Sequence, residues 1–306
     1  MKIPVVILNY NSIENTKKCI ESFSKSKFEY FFIVIDNDSN DKNIIKKELT
    51  LKEFKNIEEA LKNEEEIINE KGIIVTLNKN YGYSYANNIG LKIANKLKFQ
   101  YAIVANPDTE VIDIDYFENL INKVDFITIF PKVVGKNNEL QGLYSDRNPI
   151  QILIRNYLNI FYKPFEKIYR KILIKRSDKN ELMEIQYSIG CFIFFNLKLF
   201  EKIGYFDDNV FLYGEEPIIF QRVVKSGRKV YYSPKLKVKH NHYYKEMNQN
   251  TKNEHHKSRV YYYRTYKKYN NILINILEHS EKFRENTYDK LYKKIKNIKI
   301  KEKNNK

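Results

Sequence analysis

The sequence predicts an α/β fold with a mostly parallel central sheet flanked by helices. Over residues 1–110, apolar runs of strand length alternate with segments whose apolar residues recur at helical spacing. That alternation is typical of a parallel sheet wound with helices. Each apolar run also stops at a cluster of polar residues, as strands do where they enter a loop. The hydrophobic content of 42% over 306 residues is enough for a sizeable core.

Four strands and the helices between them make up this alternating half. The strands are predicted over residues 3–8, 30–35, 72–77 and 101–105. Helices are predicted after Ser12, which suits an N-cap, over 42–71 as one or two charged helices, and over 84–98.

The second half is less regular. Strands are predicted over residues 126–133, 187–195 and 229–233, with another starting near Leu236, and a helix over 215–226. Residues 150–175 combine apolar and basic residues at helical spacing. Two interpretations of that segment stay open: helices packed on the sheet with Lys and Arg outward, or a helix lying on a membrane surface.

The net charge of +16 favours anionic partners such as nucleotide phosphates or acidic lipid headgroups. Nucleic acid is not expected, because the lysines are dispersed and no DNA- or RNA-binding motif occurs. No apolar run reaches 18 residues, and the first residues lack the cleavage pattern of a signal peptide. With two cysteines, Cys19 and Cys191, the sequence favours a reducing, cytoplasmic location.

The polar clusters at the predicted strand ends are the candidate site. They are residues 9–11, 36–41, 78–82 and 106–108. Because parallel strands end at one rim of a sheet, these clusters should converge. Amide and carboxylate groups there could bind a base and ribose, Gly82 could let a diphosphate approach closely, and Asp108 could hold a divalent cation. A plain surface turn built from Asn106, Pro107 and Asp108 is the alternative.

The second half adds two candidates. Glu215 and Glu216 open a predicted helix, where one of them could serve as a general base, or where both could simply follow the charge preference of a helix start. His240, at a strand end, could complete a metal site or have only a packing role. Sequence motifs of dinucleotide-binding dehydrogenases, P-loop NTPases and α/β-hydrolases are absent from the chain.

Six segments, in order and at matching spacing over residues 3–245, resemble the family 2 glycosyltransferases of the GT-A fold. Within that family they are most similar to the bacterial rhamnosyltransferase-like branch. The segments are Val5–Asn11, Val34–Asp41, Asn78–Gly90, Asn106–Asp108, Gly204–Glu216 and Pro234–His240.

The resemblance implies a role for each matching residue. Nucleotide-binding positions would be Asn9, Tyr10, Asp36, Asn37, Gly82 and Asn88. The D-x-D motif of the family would correspond to Asn106–Asp108, with Asp108 as the ligand of Mg²⁺ or Mn²⁺, Asn106 assisting and His240 approaching the same metal. Glu216 would be the base, with Glu215 next in line.

The implied activity is inverting transfer of a sugar from a nucleoside-diphosphate sugar to a hydroxyl of a saccharide or lipid-linked acceptor, in surface polysaccharide synthesis. Glu216 stands where the family has Asp, and Pro217 and Ile218 replace a Val and an acidic residue. These departures motivate an alternative, a catalytically impaired nucleotide-sugar-binding protein.

The expected organisation is a GT-A domain over residues 1–245 and a basic helical C-terminal extension over 246–306. The domain would comprise a nucleotide-binding half, about 1–110, and an acceptor half, about 111–245. The extension could dock on the inner face of the cytoplasmic membrane or pack on the domain.

Overall fold

The computed structural model describes residues 1–40, 48–54, 56–62, 67–179, 181–241 and 248–292. In this described part the strands are β1 Lys2–Asn9, β2 Glu29–Asp36, β3 Lys52–Phe54, β4 Gly72–Thr76, β5 Tyr101–Ala105, β6 Thr109–Asp113, β7 Thr128–Val134, β8 Leu140–Gln141, β9 Met183–Ile185, β10 Phe192–Asn196 and β11 Val230–His240. The helices are α1 Ile13–Ser22, α2 Ile57–Leu61, α3 Tyr83–Lys96, α4 Phe117–Ile121, α5 Pro149–Tyr157, α6 Asn159–Asp178, α7 Leu197–Lys202, α8 Glu215–Lys225, α9 Gln249–Thr265 and α10 Asn271–Arg284.

These strands form one large sheet in the order β3-β4-β2-β1-β5-β10-β7-β11-β6, with β8 beside β7 and β9 beside β11. The four strands predicted for the alternating half pair in parallel, as expected, and β3 adds an unpredicted fifth parallel strand beside β4. Beyond β5 the sheet is mixed, because β10 runs antiparallel to both β5 and β7, and β6 runs antiparallel to β11.

This topology brings distant segments to one rim. The carboxyl ends of β1, β2 and β5 meet there, as parallel strands must. Because β10 is antiparallel, its start lies at the same rim, with Phe192 opposite Ala105. The end of β11 arrives there too, since His240 pairs with Thr109 at the start of β6.

The core explains why the first strands read as continuous apolar runs. Alternate side chains of β1 enter clusters on opposite faces of the sheet: Val6 packs with α3, while Val5 and Ile7 pack with α1 and α4. A strand covered by helices on both faces has no side exposed to solvent, so polar and apolar residues do not alternate along it.

Several element predictions need correction. Residues 52–54 form β3 inside the stretch predicted as helical, while parts of that stretch (residues 41–47, 55 and 63–66) lie outside the described residues. The short β6 was not predicted. The strand predicted over residues 187–195 begins at Phe192. The strand predicted over residues 229–233 and the one predicted to start near Leu236 are a single bulged strand, β11. Ser12 stands at the N-cap of α1 but accepts from Asn15 Nδ2 rather than capping the backbone.

Two compact units divide the chain. Unit 1, residues 1–144 and 177–259, contains the sheet. Unit 2, residues 145–176 and 260–306, is helical as far as it is described. In unit 2, α5 begins with a capping box between Asn148 and Gln151, and Asn156 of α5 donates a buried hydrogen bond to Ser280 of α10 at 2.9 Å.

Among the described helices, none is both long enough and apolar enough to cross a membrane.

Candidate active site

The ends of β1 and β2 carry a buried polar network. Asn9 and Asp36 lie side by side in register and are fully buried. Asn9 Nδ2 donates to Asp36 Oδ1 at 3.0 Å and to Ser39 Oγ at 3.1 Å, and Thr16 Oγ1 donates to Asn9 Oδ1 at 2.9 Å. These bonds fix the Asp36 carboxylate at the rim. Tyr10, next in the chain, is 50% exposed, so its ring is accessible to a ligand.

Asn37 connects this corner to the start of α3. Its Nδ2 donates to Asn80 Oδ1 at 2.8 Å, and its Oδ1 accepts from the Tyr81 N–H at 2.9 Å. Gly82, the N-cap of α3, has φ +85°, and a Cβ there would lie 2.5 Å from the carbonyl oxygen of Phe211. Glycine is required at this position both for the backbone angle and for the close approach of the 211 segment.

Asn88 ties α3 to the segment before α8. Its side chain accepts from the Phe206 N–H at 3.0 Å and donates to the Phe206 carbonyl at 3.0 Å and to Asp208 Oδ1 at 2.6 Å. Because its amide oxygen and nitrogen both bond to the protein, Asn88 holds α3 against the 206–208 segment. The nucleotide-binding role predicted for Asn88 stays a prediction.

Asp108 and His240 meet at the far side of the rim. Asp108 Oδ1 lies 3.3 Å from His240 Nε2, and the backbone N–H of Asn241 donates to the Asp108 carbonyl at 2.8 Å. His240 Nδ1 lies 2.8 Å from Gln141 Oε1, while Gln141 Nε2 donates to Glu139. With this orientation of the Gln141 amide, His240 Nδ1 is the donor to Gln141 Oε1, and Nε2 is the ring nitrogen that faces Asp108.

This arrangement suits a divalent cation. Two ligands bound at cis positions about 2.1 Å from one ion stand about 3 Å apart, close to the separation of Asp108 Oδ1 and His240 Nε2. A ligating histidine usually donates its other ring N–H to an acceptor, as His240 does to Gln141. Within the described ranges no group of three or more His, Cys, Asp and Glu side chains surrounds a metal position. Mg²⁺ and Mn²⁺ sites that also bind a substrate diphosphate commonly use only one or two protein carboxylates.

Asn106 forms the turn that presents Asp108. Its N–H donates to the Cys191 carbonyl at 2.8 Å, and its own carbonyl accepts both the N–H and the Oγ1 of Thr109, at 3.1 and 2.7 Å. The backbone of Asn106 is therefore committed to the fold. Its side-chain amide is the group that could assist a metal.

Glu216 hydrogen-bonds to the residue that precedes Cys191. Its Oε1 accepts the Gly190 N–H at 2.8 Å, and a Cβ on Gly190 would come within 2.7 Å of that oxygen. Cys191, one residue on, bonds Asn106 through its carbonyl. Burial, followed by the carboxylates of Asp108 and Glu216, raises the pKa of the Cys191 thiol well above its usual range. Glu216 and the turn that carries Asp108 thus bond to the same short segment of backbone, residues 190–191.

Glu215 is buried beside Glu216 at the first turn of α8. Burial, and then the Glu216 carboxylate, raises the pKa of Glu215. Burial also raises the pKa of Glu216, against the opposing effect of the Gly190 N–H. Tyr83 lies close to both: its pKa is raised well above 10 by burial and by the two glutamates, and its hydroxyl donates to the Gly190 carbonyl at 3.1 Å.

The structure brings every sequence-predicted site residue to the rim or its supporting loops, and it adds hydrogen-bonding partners to which the sequence analysis gave no individual role. They are Thr16, Ser39, Asn80, Tyr83, Gln141 and Gly190. Ser39, Asn80 and Tyr83 stood inside the matched segments, so the motif boundaries could have indicated them. Gln141 and Gly190 had no sequence signal, because only the antiparallel insertion of β10 and the pairing of β7 with β8 bring them to the site.

Comparison with known proteins agrees with this architecture. No protein-family model matches the chain. A curated relative, the low-salt glycan biosynthesis hexosyltransferase Agl10 of Haloferax volcanii, is 22% identical over 220 residues, which are 70% of this chain and 59% of the relative. The chain thus spans less than two thirds of that relative's length.

Solved structures give the fold. A crystal structure of GalNAc-T7 with UDP, GalNAc and Mn²⁺ superposes with a TM-score of 0.55 at 17% identity, covering 94% of this chain and 54% of that one. TarS of S. aureus gives a TM-score of 0.48 at 12% identity, covering 94% of this chain and 44% of the neighbour. The superposition on GalNAc-T7 confirms the predicted α/β fold of the GT-A type, with a central sheet more mixed than expected, and the chain resembles a curated glycosyltransferase in sequence.

Proposed function

We propose that this chain is an inverting glycosyltransferase that moves a sugar from a nucleoside-diphosphate sugar to an acceptor hydroxyl. The observation that supports the proposal is that Glu216 and the turn that carries Asp108 bond to the same Gly190–Cys191 segment, and that both carboxylates act electrostatically on Cys191. A base and a metal ligand brought near one segment could act on the acceptor hydroxyl and on the departing diphosphate of one transfer. The name of the curated relative and the UDP and Mn²⁺ of the structural neighbour support the same class of reaction.

Donor binding would use the corner formed by Asn9, Asp36 and Asn37. Asp36 is a buried acceptor held by Asn9 and Ser39, suited to polar groups of a base or ribose, and the exposed ring of Tyr10 could stack on the base. The tight backbone at Gly82 would allow the diphosphate to approach.

In the transfer step Glu216 accepts the proton of the attacking hydroxyl. Its raised pKa brings the carboxylate closer to the pKa at which a general base works best near neutral pH. The Gly190 N–H fixes one oxygen of Glu216, which leaves the other to face the acceptor. A divalent metal held by Asp108 and His240, with Asn106 assisting, would stabilise the negative charge of the departing nucleoside diphosphate.

We place the acceptor among saccharides or lipid-linked saccharides of surface polysaccharide synthesis, in line with the glycan biosynthesis role printed for the relative. We propose that the donor carries a hexosyl or rhamnosyl group, as the sequence resemblance implies. We also propose the predicted division of the chain, in which a domain over residues 1–245 performs transfer and an extension over residues 246–306 contributes to anchoring.

The test is a panel of UDP-, GDP- and dTDP-sugars with Mn²⁺, scored by thermal shift for binding and by nucleoside-diphosphate release for turnover. Glu216→Gln should lower turnover at least ~100-fold, as expected for loss of a general base, while the donor-induced thermal shift stays unchanged. Glu14→Gln, the same change at an exposed first-turn glutamate of α1, is the control and should leave both unchanged.

Two outcomes would contradict the proposal. Full turnover by the Glu216→Gln protein would remove Glu216 as the base and shift the role to Glu215. Donor binding without turnover by the unaltered protein, with any acceptor tried, would favour the impaired nucleotide-sugar-binding protein instead.

A further inference from the structure

Helix α6 turns its apolar stripe outward. Phe161, Phe165, Ile168 and Ile172 recur at the i, i+4, i+7, i+11 spacing of one helix face and are 72%, 72%, 57% and 59% exposed. We call these four residues the α6 stripe. Helices of globular proteins normally bury such a stripe and turn their polar face to solvent.

The half-buried side of α6 is a different one and is polar over most of its length. Tyr162, Glu166 and Arg170 are half-buried, followed by Leu173 and Ile174, and Glu166 forms an ion pair with Arg147 within unit 2. The side of α6 that faces its own unit is thus not the side that carries the stripe. These contacts fix the rotation of α6 about its axis, so the outward position of the stripe does not result from fraying at a helix end.

Lysines line one edge of the stripe. Lys167, Lys171 and Lys175 follow one another at i+4 spacing, all are exposed, and their helical positions place them beside Ile168 and Ile172. Apolar side chains with a row of flanking lysines are the composition of helices that lie in the plane of a lipid interface. Long lysine side chains can keep their ammonium groups among anionic headgroups while the apolar residues enter the acyl region.

We propose that the α6 stripe binds an anionic lipid surface, with Phe161, Phe165, Ile168 and Ile172 entering the bilayer boundary and Lys167, Lys171 and Lys175 contacting anionic headgroups. Charge complementarity selects a membrane over a second copy of this chain, because pairing two copies through the stripe would bring two rows of lysine together. The inference does not rest on the glycosyltransferase proposal, since lipid binding is measured without any nucleotide.

The chain contains no tryptophan, which allows a direct test. Phe165→Trp introduces a single indole into the stripe, and Ile112→Trp, at an exposed apolar position of β6, is the matched control. With vesicles of phosphatidylcholine and phosphatidylglycerol, the emission of the Phe165→Trp protein should move to shorter wavelength and be quenched by lipids brominated on the acyl chain. The emission of the Ile112→Trp protein should not change.

Two further comparisons separate the apolar and charged parts of the surface. Phe161→Ser with Phe165→Ser should weaken vesicle affinity at least ~100-fold, roughly tenfold for each apolar side chain kept in water. Lys167→Gln with Lys171→Gln should weaken it roughly 25-fold on anionic vesicles, about fivefold per lysine, and leave binding to neutral vesicles unchanged. Lys198→Gln with Lys202→Gln gives the same net charge at exposed positions of α7 and should bind like the unaltered protein.

The proposal is overturned if the fluorescence emission of the Phe165→Trp protein does not change when vesicles are added. It is overturned as well if the Phe161→Ser, Phe165→Ser double variant binds vesicles as tightly as the unaltered protein. It is also overturned if light scattering without lipid shows a dimer that the double serine variant abolishes, because the stripe would then be a contact between copies. The stripe residues are exposed, so the variants should keep the melting temperature of the unaltered protein, and donor hydrolysis in solution should be unchanged.

Discussion

Replacing Glu215 by Gln should stabilise the folded protein, and should do so more strongly as pH rises. Glu215 is 7% exposed, and among the described residues nothing donates a hydrogen bond to its Oε1. Burial and the Glu216 carboxylate raise the pKa of Glu215 above its ordinary value of 4.5. The carboxylate is therefore a destabilising charge in the folded state, which the neutral amide of Gln removes.

Two opposing effects set the magnitude. Folding raises the pKa of Glu215 from 4.5 to about 8, and each unit lowers the free energy of unfolding by about 1.4 kcal/mol once the pH exceeds the folded-state pKa, which gives about 5 kcal/mol in total. The amide nitrogen of Gln would replace the unpartnered Oε1 and stay buried without an acceptor, which costs about 1–3 kcal/mol. We take a net gain of about 2 kcal/mol, which for a unit the size of unit 1 corresponds to a melting temperature about 4 °C higher.

The direction with pH follows from the raised pKa. Between 4.5 and the folded-state pKa, the folded protein binds more protons at Glu215 than the unfolded chain does, so stability falls as pH rises through that window. At pH 4 the carboxyl is protonated in both states and the variant should gain little. At pH 8 the gain should be close to its full value.

Melting curves from pH 4 to pH 8 test this reasoning, with Glu14→Gln as control. Glu14 also lies in the first turn of a helix but is exposed, so its replacement should shift the melting temperature by less than about 1 °C at every pH. A Glu215→Gln protein that is less stable than the unaltered protein, or whose gain does not depend on pH, would refute the argument. It would mean that the ionised carboxylate is a structural group.

Two other outcomes are expected at the rim. Gln141→Leu should weaken Mn²⁺ binding about 10–100-fold, because His240 Nδ1 loses its acceptor. The measurement is the Mn²⁺ dependence of the donor thermal shift, and Gln249→Leu, on the exposed start of α9, is the control. Equal Mn²⁺ dependence in the two proteins would count against a metal at His240. Gly82→Ala should lower the free energy of unfolding in urea by about 1–3 kcal/mol, and by more than Gly227→Ala does. Both glycines have positive φ, but only a Cβ at position 82 would meet backbone atoms. Equal losses of unfolding free energy in the two variants would show that crowding by Phe211 is unimportant.

Local chemistry made the alternating first half of the chain predictable from sequence. Buried parallel strands read as apolar runs, and each ended in polar residues such as Asn9, Asp36 and Asp108. Parallel pairing then required those ends to meet. The convergence of the candidate site could therefore be inferred from the strand pattern alone, although the hydrogen bonds that hold Asp36 could not.

The second half depended on pairing that the sequence does not encode locally. The antiparallel β10 brings Gly190 beside Glu216, and β8 brings Gln141 beside His240. Neither residue type suggests a site role when met alone. The outward stripe of α6 was also undecidable, because the same apolar spacing describes a helix that buries its stripe and one that exposes it.

The two departures from the family pattern fall where the fold provides other support. Where the D-x-D motif has its first Asp, Asn106 uses its carbonyl to hold Thr109 and its N–H to hold Cys191, so the turn that presents Asp108 does not depend on a carboxylate at 106. Glu216, one methylene longer than Asp, reaches the Gly190 N–H, which restrains the extra length. Both supports involve the backbone of residues 190–191: the Cys191 carbonyl accepts the Asn106 N–H, and the Gly190 N–H donates to Glu216. In the proposed transfer, the base and the turn that carries the metal ligand would thus be tied to neighbouring residues, which would preserve their relative position although their side chains differ from those of the family that the chain resembles. Transfer depends on such positioning.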